Sequence, residues 1–224
     1  MINLTQIDMD AIMTSHNQSV TLLYSILNKK EINGVCTLKT KELAELAGVS
    51  KSSILRQLDK LSSLGVIKRD HTTINEPIII CHCADNGEFN YTPIPDEAYN
   101  KIVSGEYKNN ASSLLVIYYI LRNLYILSRL NPVKSTLHPK VSTLAKLSNY
   151  SHTTVSSYLD ALRDLGVIYC TRYSARWPLT YVFVNPQYFD VAARKFKEWK
   201  YDYKTEEEGD SQYFIQRLAE QVRY

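Results

Sequence analysis

Within ten residues the chain places Lys51, Ser52, Ser53, Arg56, Gln57 and Lys60. Guanidinium and ammonium groups donate to phosphate oxygens or to the O6 and N7 acceptors of guanine. A carboxamide matches the donor and acceptor of an adenine edge, and a hydroxyl serves phosphate. Lys68 and Arg69 follow shortly after. A second set, His152, Thr153, Thr154, Ser156, Ser157, Tyr158 and Ala161, is rich in hydroxyls and has no Lys or Arg before Arg163. Hydroxyls bind phosphates and bases but supply no long-range attraction. Basic groups near this second set are Lys134, Lys140, Lys146, Arg172 and Arg176, the last beside Trp177. An Arg–Trp pair at a hairpin tip suits a minor groove or a phosphate, and the alternative is a Trp packed on its own hairpin.

Both sets are positioned by one stretch that occurs twice. Residues 43–67 read LAELAGVSKSSILRQLDKLSSLGVI and residues 144–168 read LAKLSNYSHTTVSSYLDALRDLGVI, 101 positions on, with eleven of twenty-five positions identical and no gap. Ser50 and Ser151 are placed to cap a helix start, and Gly65 and Gly166 to supply the left-handed residue that ends one. Ile54, Leu58, Leu61 and Leu64 recur every three or four residues, as do Val155, Leu159, Leu162 and Leu165, so each copy has one apolar helical face. Each copy is a helix-turn-helix candidate. The polar groups of the first paragraph then fall opposite the apolar face, where any solvated helix also shows Lys, Arg and Gln.

Around the first copy the spacing predicts helices over 5–15, with Thr5 and Asp8 as a possible capping box, and over 19–30, ended by Lys29-Lys30-Glu31 and Gly34. Strands are predicted over 35–38, 66–69 and 77–83, the last two flanking a polar hairpin loop. Helix, strand, helix-turn-helix and hairpin in this order form a winged helix. Residues 86–110 hold Pro93 and Pro95 but no long Gly/Ser run, with a strand near 89–94 and a helix over 96–103 ending at Gly105, so an ordered connector is expected. A long apolar helix opens at Ser112 or Ser113, runs through Leu114, Leu121 and Leu127, and ends at Asn131-Pro132. Strands over 167–172 and 181–184 follow the second helix-turn-helix. Beyond Pro186, helices over 187–203 and from Phe214 to Val222 form a C-terminal extension.

The expected architecture is therefore mainly α with small β-hairpin wings, α+β, made of two winged helix-turn-helix domains plus C-terminal helices. The domains run 1–85, a connector 86–110, 111–185 and an extension 186–224. At 224 residues, 45% hydrophobic and 22% charged, the composition is globular and allows a core in each half. The formal charge is only +3. Its distribution is uneven: residues 1–85 hold nine basic and nine acidic groups, whereas residues 111–185 hold eight and two.

Other chemistries find little support. Cys36, Cys81, Cys83 and Cys170 follow no disulfide spacing, and no basic segment leads into an apolar run at the N-terminus, so a reducing bacterial-type cytoplasm is the expected location. The longest apolar run, 114–121, is too short to span a bilayer. Cys81 and Cys83 could meet His71 and Cys36 around a metal, but no Cys-x-x-Cys knuckle is present, and no metal or other cofactor is expected. Seventeen tyrosines include no nucleophile paired with a His-x-His motif, and neither a phosphate-binding Gly-rich loop nor a Gly-x-Ser-x-Gly elbow occurs, so no catalytic residue is assigned and an enzyme is not expected.

The paired motifs Leu-Ala-x-Leu, turn, Ser, long helix, Leu-Gly-Val-Ile resemble the winged-helix superfamily of bacterial DNA-binding proteins over residues 17–85 and 111–185. Two such domains in one chain, the second closing on Val-Phe-Val-Asn-Pro at 182–186, are similar to plasmid and phage replication initiators of Gram-positive bacteria. That resemblance implies sequence-specific binding of double-stranded DNA in replication initiation or transcription regulation, and the repeat with its ordered connector adds the expectation of two half-sites per chain. The expected contacts are Lys51, Ser52, Ser53, Arg56, Gln57, Lys60, Lys68, Arg69, His152, Thr153, Thr154, Ser157, Tyr158, Arg172, Arg176 and Trp177. A homodimer through helix 114–127 or the C-terminal helix is a further expectation. The other reading is a winged-helix protein-docking module without direct DNA readout.

Overall fold

Unsatisfied backbone groups at helix starts are met by a Ser or Thr hydroxyl at Thr5, Ser50 and Ser151, each of which accepts from a first-turn N–H. The computed structural model describes residues 2–69, 78–80, 91–130, 139–172 and 180–183, without the side chains of 125–130, 169–172 and 180–183. These residues are mainly α, with eight α-helices and small antiparallel sheets. Contacts divide the chain into two units, one of Met1–Tyr119 with Leu147–Asn149, the other of Ile120–Lys146 with Tyr150–Tyr224.

In the first unit β1 (Ile2–Thr5) pairs antiparallel with β5 (Tyr91–Ile94), Ile2 opposite Ile94 and Thr5 opposite Tyr91. Periodicity does not predict this pairing, which places β5 and α5 (Asp96–Ser104), both from the expected connector, in the first unit. Thr5 caps α1 (Gln6–Thr14), its hydroxyl accepting from the Asp8 N–H at 3.3 Å. Asp8 is buried and accepts from the Tyr24 hydroxyl at 2.5 Å, which ties α1 to α2 (Thr21–Lys30). Burial, with the Asp8 carboxylate adding to it, pushes the Tyr24 phenol far above its ordinary range, so Tyr24 stays a proton donor at neutral pH.

Helix α2 stops at Lys30, and Gly34 is not its cap. Asn33 (φ 52°) and Gly34 (φ 78°) are both left-handed, with Ile32 and Val35 exchanging backbone hydrogen bonds at 3.0 and 3.1 Å. Two such residues in succession form the tight turn that suits twisted strands, and it delivers the chain into β2 (Val35–Cys36). Helices α3 (Thr40–Ala47) and α4 (Lys51–Ser63) follow, then β3 (Ile67–Arg69) and β4 (Ile78–Ile80). The three short strands form one antiparallel sheet in the order β2-β4-β3, Cys36 opposite Ile78 and Ile67 opposite Ile80. Leu23 and Leu27 of α2, Leu43 of α3, Ile54, Leu58 and Leu61 of α4, and Ile78 and Ile80 are all buried. Each such side chain contributes about 1.5–3 kcal/mol by leaving water.

Helix α6 (Ala111–Leu130) starts one residue before the expected serine. Ser112 instead docks the helix on α2, its hydroxyl donating to the Ser19 carbonyl at 3.1 Å and accepting from the Leu22 N–H at 3.3 Å. All of Leu114 to Leu121 are buried within the chain. Also within the first unit, Asn149 Nδ2 donates to the Met13 carbonyl at 2.8 Å and Gln18 Nε2 to the Ser148 carbonyl at 2.9 Å. The second copy contributes α7 (Val141–Ser148), α8 (His152–Asp164) and the antiparallel pair β6 (Tyr169–Arg172) and β7 (Thr180–Phe183). The expected helices beyond Pro186, the hairpin loop 70–76, and Cys81 and Cys83 lie outside the described residues.

The turn between the paired helices needs one left-handed residue, and the copies fill it differently. Gly48 takes it at φ 66° in the first and Asn149 at φ 57° in the second. A Cβ on Gly48 meets nothing within 4 Å, so only backbone strain opposes substitution there. Gly48→Ala is expected to lower stability by about 1 kcal/mol, and Gly48→Asn by distinctly less, because Asn tolerates this conformation. Urea unfolding of both variants beside the parent chain checks the order.

Candidate nucleic-acid interface

Both ends of α4 are fixed. At its start the Ser50 hydroxyl accepts from the Ser53 N–H at 3.2 Å, with the Ser52 and Ser53 hydroxyls each 3.0 Å away. At its end Gly65 donates to the Ser62 carbonyl at 3.0 Å and Val66 to the Leu61 carbonyl at 3.1 Å, with Gly65 at φ 71°. This pair of bonds satisfies two carbonyls that the helix leaves open, and Val66, buried itself, anchors the exit. The second copy repeats the arrangement: Thr154 N–H to Ser151 at 3.1 Å, Gly166 to Arg163 at 2.8 Å and Val167 to Leu162 at 3.1 Å.

With ends and apolar face fixed, the rotation of α4 is fixed. Lys51, Ser52, Arg56 and Lys60 are exposed as the spacing predicts, whereas Ser53 and Gln57 are half-buried. Ser53 is spent on the cap, and Gln57 lines a groove beside Val49 and Ser113. Lys68, on β3, is exposed. Among the described residues Lys51, Arg56, Lys60 and Lys68 have no ion-pair partner.

Arg69 is placed differently. Its guanidinium lies 3.1 Å from the Asp59 carboxylate and its side chain is only 15% exposed, so it joins β3 to α4. Sequence periodicity puts Asp59 on the outer side of α4 but does not reveal that a residue ten positions on neutralises it. Leu55 is a further residue that the spacing argument passes over. It is 41% exposed and lies between the cationic positions instead of in the core.

On α8, His152, Thr153 and Ser157 are exposed, while Thr154, Ser156 and Tyr158 are half-buried. Thr154 shares the cap, its hydroxyl 2.8 Å from that of Ser151. The Tyr158 ring meets Tyr150 edge-on, with centroids 5.4 Å apart and an interplanar angle of 75°. Ala161, placed outward by periodicity, is 6% exposed and belongs to the buried side. Arg163 lies 2.8 Å from Asp160 and 3.3 Å from Asp164, so it faces its own helix. Lys140 and Lys146 are exposed with no ion pair among the described residues. The backbone of Arg172 lies in β6, while Lys134, Arg176 and Trp177 lie outside the described residues.

Cys36 is fully buried and its thiol is pushed up by burial. No helix among the described residues is long and apolar enough to cross a membrane, and no three His, Cys, Asp or Glu side chains among them group as metal ligands. Comparison with protein-family models, curated proteins and solved structures finds no match to this chain.

The Arg69–Asp59 pair joins a screened arginine to a carboxylate whose side chain is 68% exposed, so its net worth is below about 1 kcal/mol. A double-mutant cycle of Arg69→Ala and Asp59→Ala is expected to give a coupling of about 0.2–1 kcal/mol in urea unfolding, shrinking as salt is raised. A coupling indistinguishable from zero at low salt would show that the two side chains act independently.

Proposed function

We propose that the chain is a sequence-specific double-stranded DNA-binding protein with two winged-helix domains, acting in replication initiation or transcription control on a mobile element or a chromosome. The observation that carries this reading is the outer side of α4, where Lys51, Arg56 and Lys60 are exposed and unpaired among the described residues, with Lys68 equally exposed on the adjoining strand. The order α2, β2, α3, α4, β3, β4, with the sheet ordered β2-β4-β3, is the one expected of a winged helix and so supports the same reading.

An α-helix with its side chains is about 10–12 Å across and the B-DNA major groove about 12 Å wide, so α4 fits lengthwise. In that pose Arg56 takes the guanine O6 and N7 acceptors, Ser52 donates to a backbone phosphate, and Lys51 and Lys60 neutralise phosphates on either side. Lys68 reaches the backbone from the hairpin. Arg69 contributes indirectly, by holding the Asp59 carboxylate in an ion pair so that its charge opposes the phosphates less. The second domain presents hydroxyls on α8 and, at Lys140 and Lys146, cations with no ion pair among the described residues, a set suited to clamping phosphates more than to telling bases apart. The competing protein-docking reading loses part of its first candidate surface, because Leu114 to Leu121 of α6 are buried within the chain itself.

Selection of bound genomic fragments, followed by affinity measurements on the selected duplex and on random duplex, tests this. The selected duplex is expected to bind more tightly, and Arg56→Ala to cost about 1–3 kcal/mol with relaxed preference at one base pair. An equal loss across all sequences would make Arg56 a phosphate contact. No measurable affinity for any duplex at low salt would remove the DNA reading.

A further inference from the structure

Leu55 stands out on the α4 surface because its neighbours there are ionic or hydroxylic. Ile54, Leu58 and Leu61 turn into the core and are at most 1% exposed, whereas Leu55 is 41% exposed. One step along a helix rotates a side chain by about 100°, so Leu55 lies between the core side and Arg56, on the flank shared with Lys51 and Asp59. The corresponding residue of the second copy is Ser156, which is half-buried. A single exposed Leu is ordinary on a protein surface. This one sits in the first turns of the helix proposed to enter the major groove, where the base edges are almost wholly hydrogen-bonding groups. A Leu there either faces polar edges that it cannot satisfy or meets the one apolar substituent that the groove offers, the C5-methyl of thymine.

We propose that Leu55 is a specificity-determining residue of the first domain, packing against the methyl group of a thymine beside the base pair that Arg56 reads. The proposal rests on the DNA reading of α4 and extends it. Arg56 selects by hydrogen bonds and Leu55 by excluding water from a methyl group, so the two discriminate by different physics at neighbouring base pairs. Ser156, at the matching position of α8, has no such apolar surface.

The test uses the full chain and the duplex selected from genomic fragments, with each thymine replaced in turn by deoxyuridine, which removes the methyl and nothing else. The parent protein is expected to lose about fourfold in affinity at one thymine, the factor that corresponds to burial of one methyl group. Leu55→Ala is expected to bind thymine and deoxyuridine duplexes equally at that position, and Leu55→Ser to behave likewise, while Arg56→Ala keeps the methyl preference. Because Leu55 is exposed, the thermal melting of the Leu55 variants is expected to match that of the parent chain. A protein that selects a duplex but is indifferent to every deoxyuridine replacement overturns the role of Leu55 and leaves the DNA reading standing. So does a Leu55→Ala variant that retains the parent's thymine preference. A protein that selects no duplex overturns the DNA reading, and the role of Leu55 with it.

Discussion

A helix leaves its first N–H groups and last carbonyls without partners, and the way this chain meets that requirement governs what its surface presents. Ser50 and Ser151 close the helix starts. Gly65 and Gly166, at φ 71° and 64°, close the ends and let the chain reverse into a buried Val. Between these fixed points Ile54, Leu58 and Leu61 have one way to face the core, and the outward residues follow. The exposure of Lys51, Ser52 and Arg56 is thus set by groups that touch none of them. Losing a cap would not merely weaken α4 but would free its first turn, where Lys51 and Ser52 sit.

The two copies share this framework and differ in what it displays. In the first, α4 carries cations that have no ion pair among the described residues and one exposed Leu, and its Asp59 is held by Arg69 from the adjoining strand. In the second, Asp160 is held by Arg163 from its own helix, and the remaining outward groups of α8 are mostly hydroxyls. The same aspartate is therefore paired in both copies, but by an arginine from a different element in each. Among the described residues the second copy has unpaired cations at Lys140 and Lys146, off α8, whereas the first copy has Lys51, Arg56 and Lys60 on α4 itself and Lys68 on the adjoining strand.

The helices of both copies were legible in the sequence almost to the residue, because their caps and their 3.6-residue apolar period are local signals. α4 and α8 start directly after Ser50 and Ser151 and end just before Gly65 and Gly166, as those residues predict, and Thr5 caps α1 as its position suggests. Non-local events were not legible. The partner of β1 lies far along the chain in β5, so nothing near Ile2 or Leu4 announces the pairing. Asn33-Gly34 is a hairpin signal, but the charged run Lys29-Lys30-Glu31 before it makes Gly34 equally suited to a helix end, and only the pair of left-handed residues decides for the turn. At the candidate interface, periodicity placed Lys51, Ser52, Arg56 and Lys60 outward. It could not foresee that Ser53 and Thr154 are drawn into caps, that Ala161 is buried, or that Arg69 turns to Asp59. Each of these depends on a neighbour supplied by tertiary or cap geometry. Leu55 escapes the spacing argument for another reason: it is apolar yet falls outside the three-to-four-residue period of Ile54, Leu58 and Leu61.

The central claim is that the free cations around α4 meet the phosphates of a duplex. The salt dependence of duplex affinity tests it most directly, measured for the parent chain and for a variant in which Lys51, Lys60 and Lys68 are all replaced by Ala. Affinity is expected to fall linearly on logarithmic axes as salt rises, with the variant's slope shallower by about 0.9 for each phosphate contact removed. A variant slope equal to that of the parent would contradict the account, because the charges that bind DNA would then lie elsewhere.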